Sequence, residues 1–399
     1  MRALFITVAV LITYGSIYPF EFRMENDFGE ALRTLLSTYD GQTRRGDILG
    51  NVALFLPFGF FGIPALLRSR SFLSRALVVF LLGFILSLGL QVAQIFVPGR
   101  QPALVDVYWN LLGMGIGLVG GRLIPLTTTT RGLSIDRSSA FPLLLIGSWV
   151  AYRLIPFVPT IDFQEIKDSL KPLLLNPEFS FVRTLHNTTG WLVVATLWRR
   201  SVPRSLPDGY LLLLVPVVYA LEVGIISNAI TVSNVAGASV ALCVWFGLLR
   251  RMDGRYAIMA LLVGLSLVVR GLEPFEIGLG REKFLWIPFT GFLGGSMQHN
   301  TAVMFEKVFF YGAFIWLLVS IRVSWLAAVG LGVVLTAGIE WAQIYFGPHS
   351  PEITDPLLMA GMAFVMRTMD EKQFNERFRR SDSRSAERSP GPVPPEADR

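Results

Sequence analysis

Cysteine is almost missing from this chain. Cys243 is the only one in 399 residues, so no disulfide can close within the chain. Histidine is nearly as rare, and none of the three stands in a His-Glu-x-x-His or comparable ligand spacing, so no metal site is expected. Charge is scarce as well: Asp, Glu, Lys and Arg make up 16% of the residues against 52% hydrophobic. That is too little charge for the wetted surface of an ordinary soluble domain. Short alternating segments, which a closed membrane barrel would need, are absent. So are a Gly-x-Ser-x-Gly elbow, a P-loop and a Rossmann glycine pattern in its usual setting. No catalytic group is assigned and no cofactor is expected.

What the chain does have is apolar runs near the length that crosses about 30 Å of hydrocarbon as helix. Their approximate positions are 3–20, 48–67, 76–97, 103–125, 140–158, 181–198, 209–228, 229–249, 257–273, 303–321, 324–346 and 354–367. The fold class expected is therefore all-α, a polytopic transmembrane helical bundle of about twelve spans. Tyr-Pro-Phe-Glu-Phe follows the first run in place of a small-residue cleavage site, so that run reads as a retained helix rather than a signal peptide. Arginines fill alternate connections: Arg68, Arg70 and Arg75, then Arg122, Arg131 and Arg137, then Arg199, Arg200 and Arg204, then Arg250, Arg251 and Arg255, then Arg322. The opposite short connections hold only Arg100, a turn at Ser227-Asn228 and one around Pro348. This bias places the protein in the cell membrane with both termini cytoplasmic. It also accounts for the net charge of +6 without invoking nucleic acid. Residues 370–399, rich in Arg, Ser, Glu and Pro, read as a disordered cytoplasmic tail.

The twelve runs fall into three groups of four, at 1–125, 140–249 and 257–369. Each group's first helix ends on a common signature: Tyr18-Pro19-Phe20, Ile155-Pro156-Phe157 and Glu273-Pro274-Phe275. Such recurrence suggests internal repeats, the middle one degenerate. Polar residues, costly in lipid and therefore candidates for function, gather at the same end. In the first group Asp47 and Asn51 share a helix face, as do Gln91 and Gln94 on another helix. Arg100 follows, and then Asp106, Asn110, Gly113 and Gly117 form one helical stripe. Gly113, Gly117 and Gly121 would let a neighbouring helix approach closely. The third group repeats the offsets with Glu340, Gln343, His349 and Asp355, while the second keeps Glu222, Asn234 and Gly237.

The pattern Asp47-x-x-x-Asn51-x-x-x-Phe55-x-Pro57-x-Gly59, Gln91-x-x-Gln94, Arg100, Asp106-x-x-x-Asn110-x-x-Gly113 resembles the VanZ-like family of integral membrane proteins. Residues 303–367 look like a second copy and 181–249 like a decayed one. Gln91 stands where the family has Glu, and Met359 where it has Asn. The resemblance implies a place in the cell envelope and, through the family's namesake, a link to teicoplanin-type glycopeptide resistance. The ligand-binding set expected is Asp47, Asn51, Gln91, Gln94, Arg100, Asp106, Asn110, Glu340, Gln343, His349 and Asp355, facing the outer leaflet. Its expected partner is a membrane lipid or lipid-linked envelope precursor. A transporter or flippase, and a membrane enzyme acting on a polyprenyl-linked substrate, are the alternatives.

Overall fold

The computed structural model describes residues 2–23, 27–38, 45–66, 71–123, 139–201, 208–277, 283–294 and 297–369. In chain order the helices are α1 (Arg2–Ile17), α2 (Phe28–Ser37), α3 (Arg45–Ala65), α4 (Phe72–Gln94), α5 (Leu104–Leu123), α6 (Ala140–Leu154), α7 (Phe163–Leu174) and α8 (Phe181–Ser201). There follow α9 (Tyr210–Val223), α10 (Val232–Gly247), α11 (Arg255–Leu272), α12 (Thr290–Gly294), α13 (Met297–Ser320), α14 (Trp325–Gln343) and α15 (Thr354–Met369). Two short strands, β1 (Glu276–Ile277) and β2 (Phe346–Gly347), pair antiparallel. The tail expected at 370–399 lies outside the described residues.

The protein is thus an all-α membrane protein, and a helix stands at each of the expected positions. Among the described residues six helices are long and apolar enough to cross a membrane: α4, α5, α10 with the turn after it, α11, α13 and α14. Four more are apolar but shorter. α8 is another matter: Arg183, His186, Asn187, Thr188 and Thr189 dilute its apolar character, and it is buried over most of its length. It is shielded by other helices rather than by lipid. α2 and α7 fall between the expected apolar runs. Each is a short amphipathic helix opened by an aspartate cap, Asp27 accepting from Gly29 N and Asp162 from Gln164 N. Ser71, Thr231 and Ser324 cap α4, α10 and α14 in the same way.

Close packing of α3 on α5 follows from glycine. A Cβ on Gly113 would lie 2.1 Å from the Val52 carbonyl oxygen, and one on Gly117 2.0 Å from that of Leu56. Gly59 answers from the other side, 2.1 Å from the Met114 oxygen. Only helices without side chains at these points can touch backbone to backbone.

Apolar burial divides into two cores. Ile12, Phe55, Phe58, Val79, Met114 and Leu118 fill one among α1, α3, α4 and α5. The other runs through α6, α8 to α11 and α13 to α15, with Trp149, Trp245, Phe309 and Phe310 at its centre. Within it the pairing is reciprocal. α6, first helix of its group, packs on α13, and α11, first helix of the next, packs on α8. The first group packs mostly on itself, α1 on its own α3, and meets the larger core through Leu4 and through α3 on α13.

All three signature sites lie at one end of the bundle, called here the Pro-Phe end. At each, the peptide bond before proline is cis and the phenylalanine has positive φ: 67° at Phe20, 59° at Phe157 and 64° at Phe275. The phenylalanine N–H donates to the carbonyl three residues back, at 3.0 Å to Ile17, 2.7 Å to Leu154 and 2.7 Å to Leu272. The chain leaving each turn then meets the segment after that group's third long helix. These contacts are Arg23 N to Phe96 O at 2.8 Å, the Pro159–Ile225 bridge, and the β1–β2 pair.

Candidate polar site at the Pro-Phe end

In the first group the expected residues converge from three helices and a loop. Asn51 on α3 donates through Nδ2 to Asp106 Oδ1 on α5 at 2.9 Å. One turn deeper, Asn110 donates to Ser87 Oγ on α4 at 2.9 Å, and its own Oδ1 is buried without a partner. Gln91 Oε1 accepts from Ala103 N at 2.9 Å, tying the end of α4 to the start of α5. The remaining two serve the turn rather than the centre. Gln94 Nε2 donates to Ser16 O at 2.9 Å. Arg100 donates from Nη2 to the carbonyls of Gly15 and Tyr18 at 3.2 and 3.3 Å, and from Nε to Tyr18 at 3.3 Å. Those carbonyls sit at the end of α1, where no further turn satisfies them. Asp47 lies in α3, but its side chain is outside the described residues.

The third group repeats three of these contacts at matching offsets. Glu340 Oε2 accepts from Glu352 N at 2.7 Å, twelve residues on, as Gln91 accepts from Ala103. Gln343 Nε2 donates to Gly271 O at 2.7 Å. Gly271 and Ser16 both stand three residues before the signature proline. The His349 ring is within hydrogen-bonding reach of the Glu273 backbone, next to that proline, as Arg100 reaches Tyr18. Desolvation outweighs that bond and lowers the His349 pKa below its ordinary value. Its Nε2 is buried and without a partner. Asp355 differs most in its company: it accepts from Lys307 Nζ at 2.5 Å and from Tyr311 at 2.6 Å. An ammonium and a phenol here stand where an amide serves Asp106.

The second group lacks the Gln, Arg and Asp pattern but has a polar site of its own. Arg153 on α6, with a side chain 4% exposed, donates to Glu222 Oε2 from Nη2 at 2.7 Å and from Nε at 3.1 Å. Its Nη1 donates to Asn187 Oδ1 on α8 at 2.7 Å. Asn228 donates to the Arg153 carbonyl at 3.1 Å, the duty Gln94 and Gln343 perform elsewhere. Next to Asn187, His186 lies 2.8 Å from Glu306 Oε1 on α13, off the axis of a hydrogen bond. Arg270 on α11 bonds Glu273 at 2.9 Å and approaches Glu306 at 3.9 Å. His186 and Glu306 lie between helices, joining the second group to the third, while Lys307 turns to Asp355 within the third. Arg153, Asn187, Arg270, Lys307 and Tyr311 were not among the expected site residues. The arginines and the lysine carried a readable signal, a cation near the end of an apolar run. Asn187 carried none.

Residues 3–125 match the VanZ/LLP1 family model. Over its first group the chain is VanZ-like. The match takes in α1 to α5 and with them Asn51, Gln91, Gln94, Arg100, Asp106 and Asn110, so the densest amide and carboxylate constellation lies within the VanZ-like part. No curated protein and no solved structure matches the chain. Among the described residues no group of three or more His, Cys, Asp and Glu side chains is placed to hold a metal ion. The arrangement offers amide donors and acceptors, a carboxylate and a guanidinium at the mouth of a helical bundle.

Proposed function

We propose that this VanZ-like protein binds or positions an envelope lipid head group, or a lipid-linked glycan, at the outer leaflet. Its three groups act as related units around the Pro-Phe end, and both termini lie in the cytoplasm. One observation supports the reading: an exposed guanidinium, Arg100, stands on the same end of the bundle as the Asn51–Asp106 bond. The guanidinium is a fork suited to phosphate or carboxylate.

Asp106→Asn tests the reading cleanly, because the amide oxygen still accepts from Asn51 while the charge is gone. Asp106→Asn and Arg100→Ala are each expected to abolish the glycopeptide-tolerance or other envelope phenotype conferred by expression, with the protein inserted at normal abundance. An unchanged phenotype in both would reject the site. A second reading, transport, is favoured by the ion pairs of Arg153, His186 and Lys307 buried between helices, since charges at such depth often line paths. Reconstituted vesicles that move neither lipid nor solute would remove it.

A further inference from the structure

Near the end of each group's third long helix stands one buried amide or carboxyl: Gln91, Glu222 and Glu340, which are 4%, 6% and 3% exposed. An isolated charge at such a place is expensive, and each group has to avoid one. Gln91 is an amide and carries none. Glu222 is an acid, but Arg153 closes on it with two bonds. Glu340 has neither device. Its Oε2 accepts from Glu352 N at 2.7 Å, and its carboxyl is within hydrogen-bonding reach of Asp355. Lys307, the cation facing it from α13, is already bonded to Asp355 Oδ1 at 2.5 Å, and Tyr311 donates to Oδ2 at 2.6 Å.

Three buried carboxyls, Glu340, Glu352 and Asp355, thus face one ammonium. Among the described residues, the charged groups on neighbouring elements are engaged elsewhere. Glu306 lies against His186 and Arg270, Arg270 bonds Glu273, and His349 reaches the Glu273 backbone. Tyr14 of α1 faces Glu352 but gives its hydroxyl proton to Pro288 O at 2.8 Å. A bond between two carboxyls needs a donor, and an ionised carboxylate has none to offer. One of the pair must therefore keep a proton. Asp355 keeps the charge, because an ammonium and a phenol donate to its two oxygens. Glu340 keeps the proton.

We propose that Glu340 is a proton-binding site, which holds its proton at neutral pH, donates it in a bond to Asp355, and gives it up in alkali. The proton passes to hydroxide in the water that reaches Lys307, whose side chain is partly exposed. Its loss sets two negative charges in contact, so α14 and α15 exchange a bond for a repulsion at the Pro-Phe end. The third group thereby responds to pH in a way that the amide of Gln91 denies the first. The proton site is independent of what the first group binds.

The test is infrared spectroscopy of the full chain in a detergent without ester groups, where the C=O stretch of a protonated carboxylic acid stands clear of the amide bands. Wild-type protein should show that band at neutral pH, shifted down in heavy water, and lose it in strong alkali. Glutamate carrying heavy carbon in its side-chain carboxyl should move the band. Glu340→Gln should abolish it, and Glu352→Gln should leave it. Glu340→Asp, which keeps a carboxyl on α14, should make the band indifferent to the glutamate label and serves where Glu340→Gln fails to accumulate. No band at neutral pH, a wild-type band that ignores the label, or one that survives Glu340→Gln or still follows the label in Glu340→Asp would overturn the proposal. So would loss of the band in Glu352→Gln.

Discussion

Arg153 shows what a charge costs when lipid and helices surround it. Three bonds hold its guanidinium, two to Glu222 and one to Asn187. Breaking a buried pair by removing one partner leaves the other charge uncompensated, at about 3–5 kcal/mol. Glu222→Gln is therefore expected to lower the thermal unfolding midpoint in detergent sharply. The double change Arg153→Met with Glu222→Leu should recover much of the loss, because it leaves no orphan charge. His349 gives a pH prediction. Its folded-state pKa is lowered by burial, so the unfolded chain takes up the proton first as pH falls. The stability it contributes is complete above about pH 6.5 and is lost as the pH drops through the folded value. His349→Gln should flatten that part of the profile of unfolding midpoint against pH. At this scale sequence reading found acids and amides by type and offset. It did not find their partners, because Lys307 and Asp355 stand 48 residues apart and only packing joins them.

Among the elements, α3 and α5 depend on each other through glycine. Gly113→Ala sets a methyl group 2.1 Å from the Val52 carbonyl oxygen, so the helices must part. Overpacking of this kind costs about 1–3 kcal/mol, and the expected result is a lower unfolding midpoint with the helical content kept. Gly115→Ala, on the same helix with open space around it, is the matched control. The helices themselves were legible because apolar runs of that length leave little choice in lipid. Their ends were less so: α9 stops at Val223 where the apolar run continues to residue 228, since the chain turns there to bridge Pro159. α2 and α7 escaped notice because a short amphipathic helix is dominated by its polar face when composition alone is counted.

For the molecule as a whole, the proposed orientation makes the Pro-Phe end face outward. With Cys243 replaced by serine, Arg100→Cys and His349→Cys should react with an impermeant maleimide added outside intact cells, and Arg322→Cys should not. Reaction of the first two only after the cells are opened would reverse the topology. The Pro-Phe signature was visible three times along the chain, and the offsets of the Gln, Arg or His and Asp residues twice, in groups one and three. The crossing of groups two and three was not visible, because each first helix packs on the other group's second helix as well as its own, which no pattern along the chain records.

That crossing bears on where the polypeptide could be severed. α6 leans on α13, and α11 on α8, so a nick between α10 and α11 leaves two fragments with each other's helices missing from their interiors. A nick between α5 and α6 leaves the first four long helices with a heart of their own, moored to the rest mainly through α1, α3 and the Tyr14 hydroxyl on Pro288. Fragments of the second kind should reassemble in the membrane as a detachable pair, and fragments of the first kind only by interlocking.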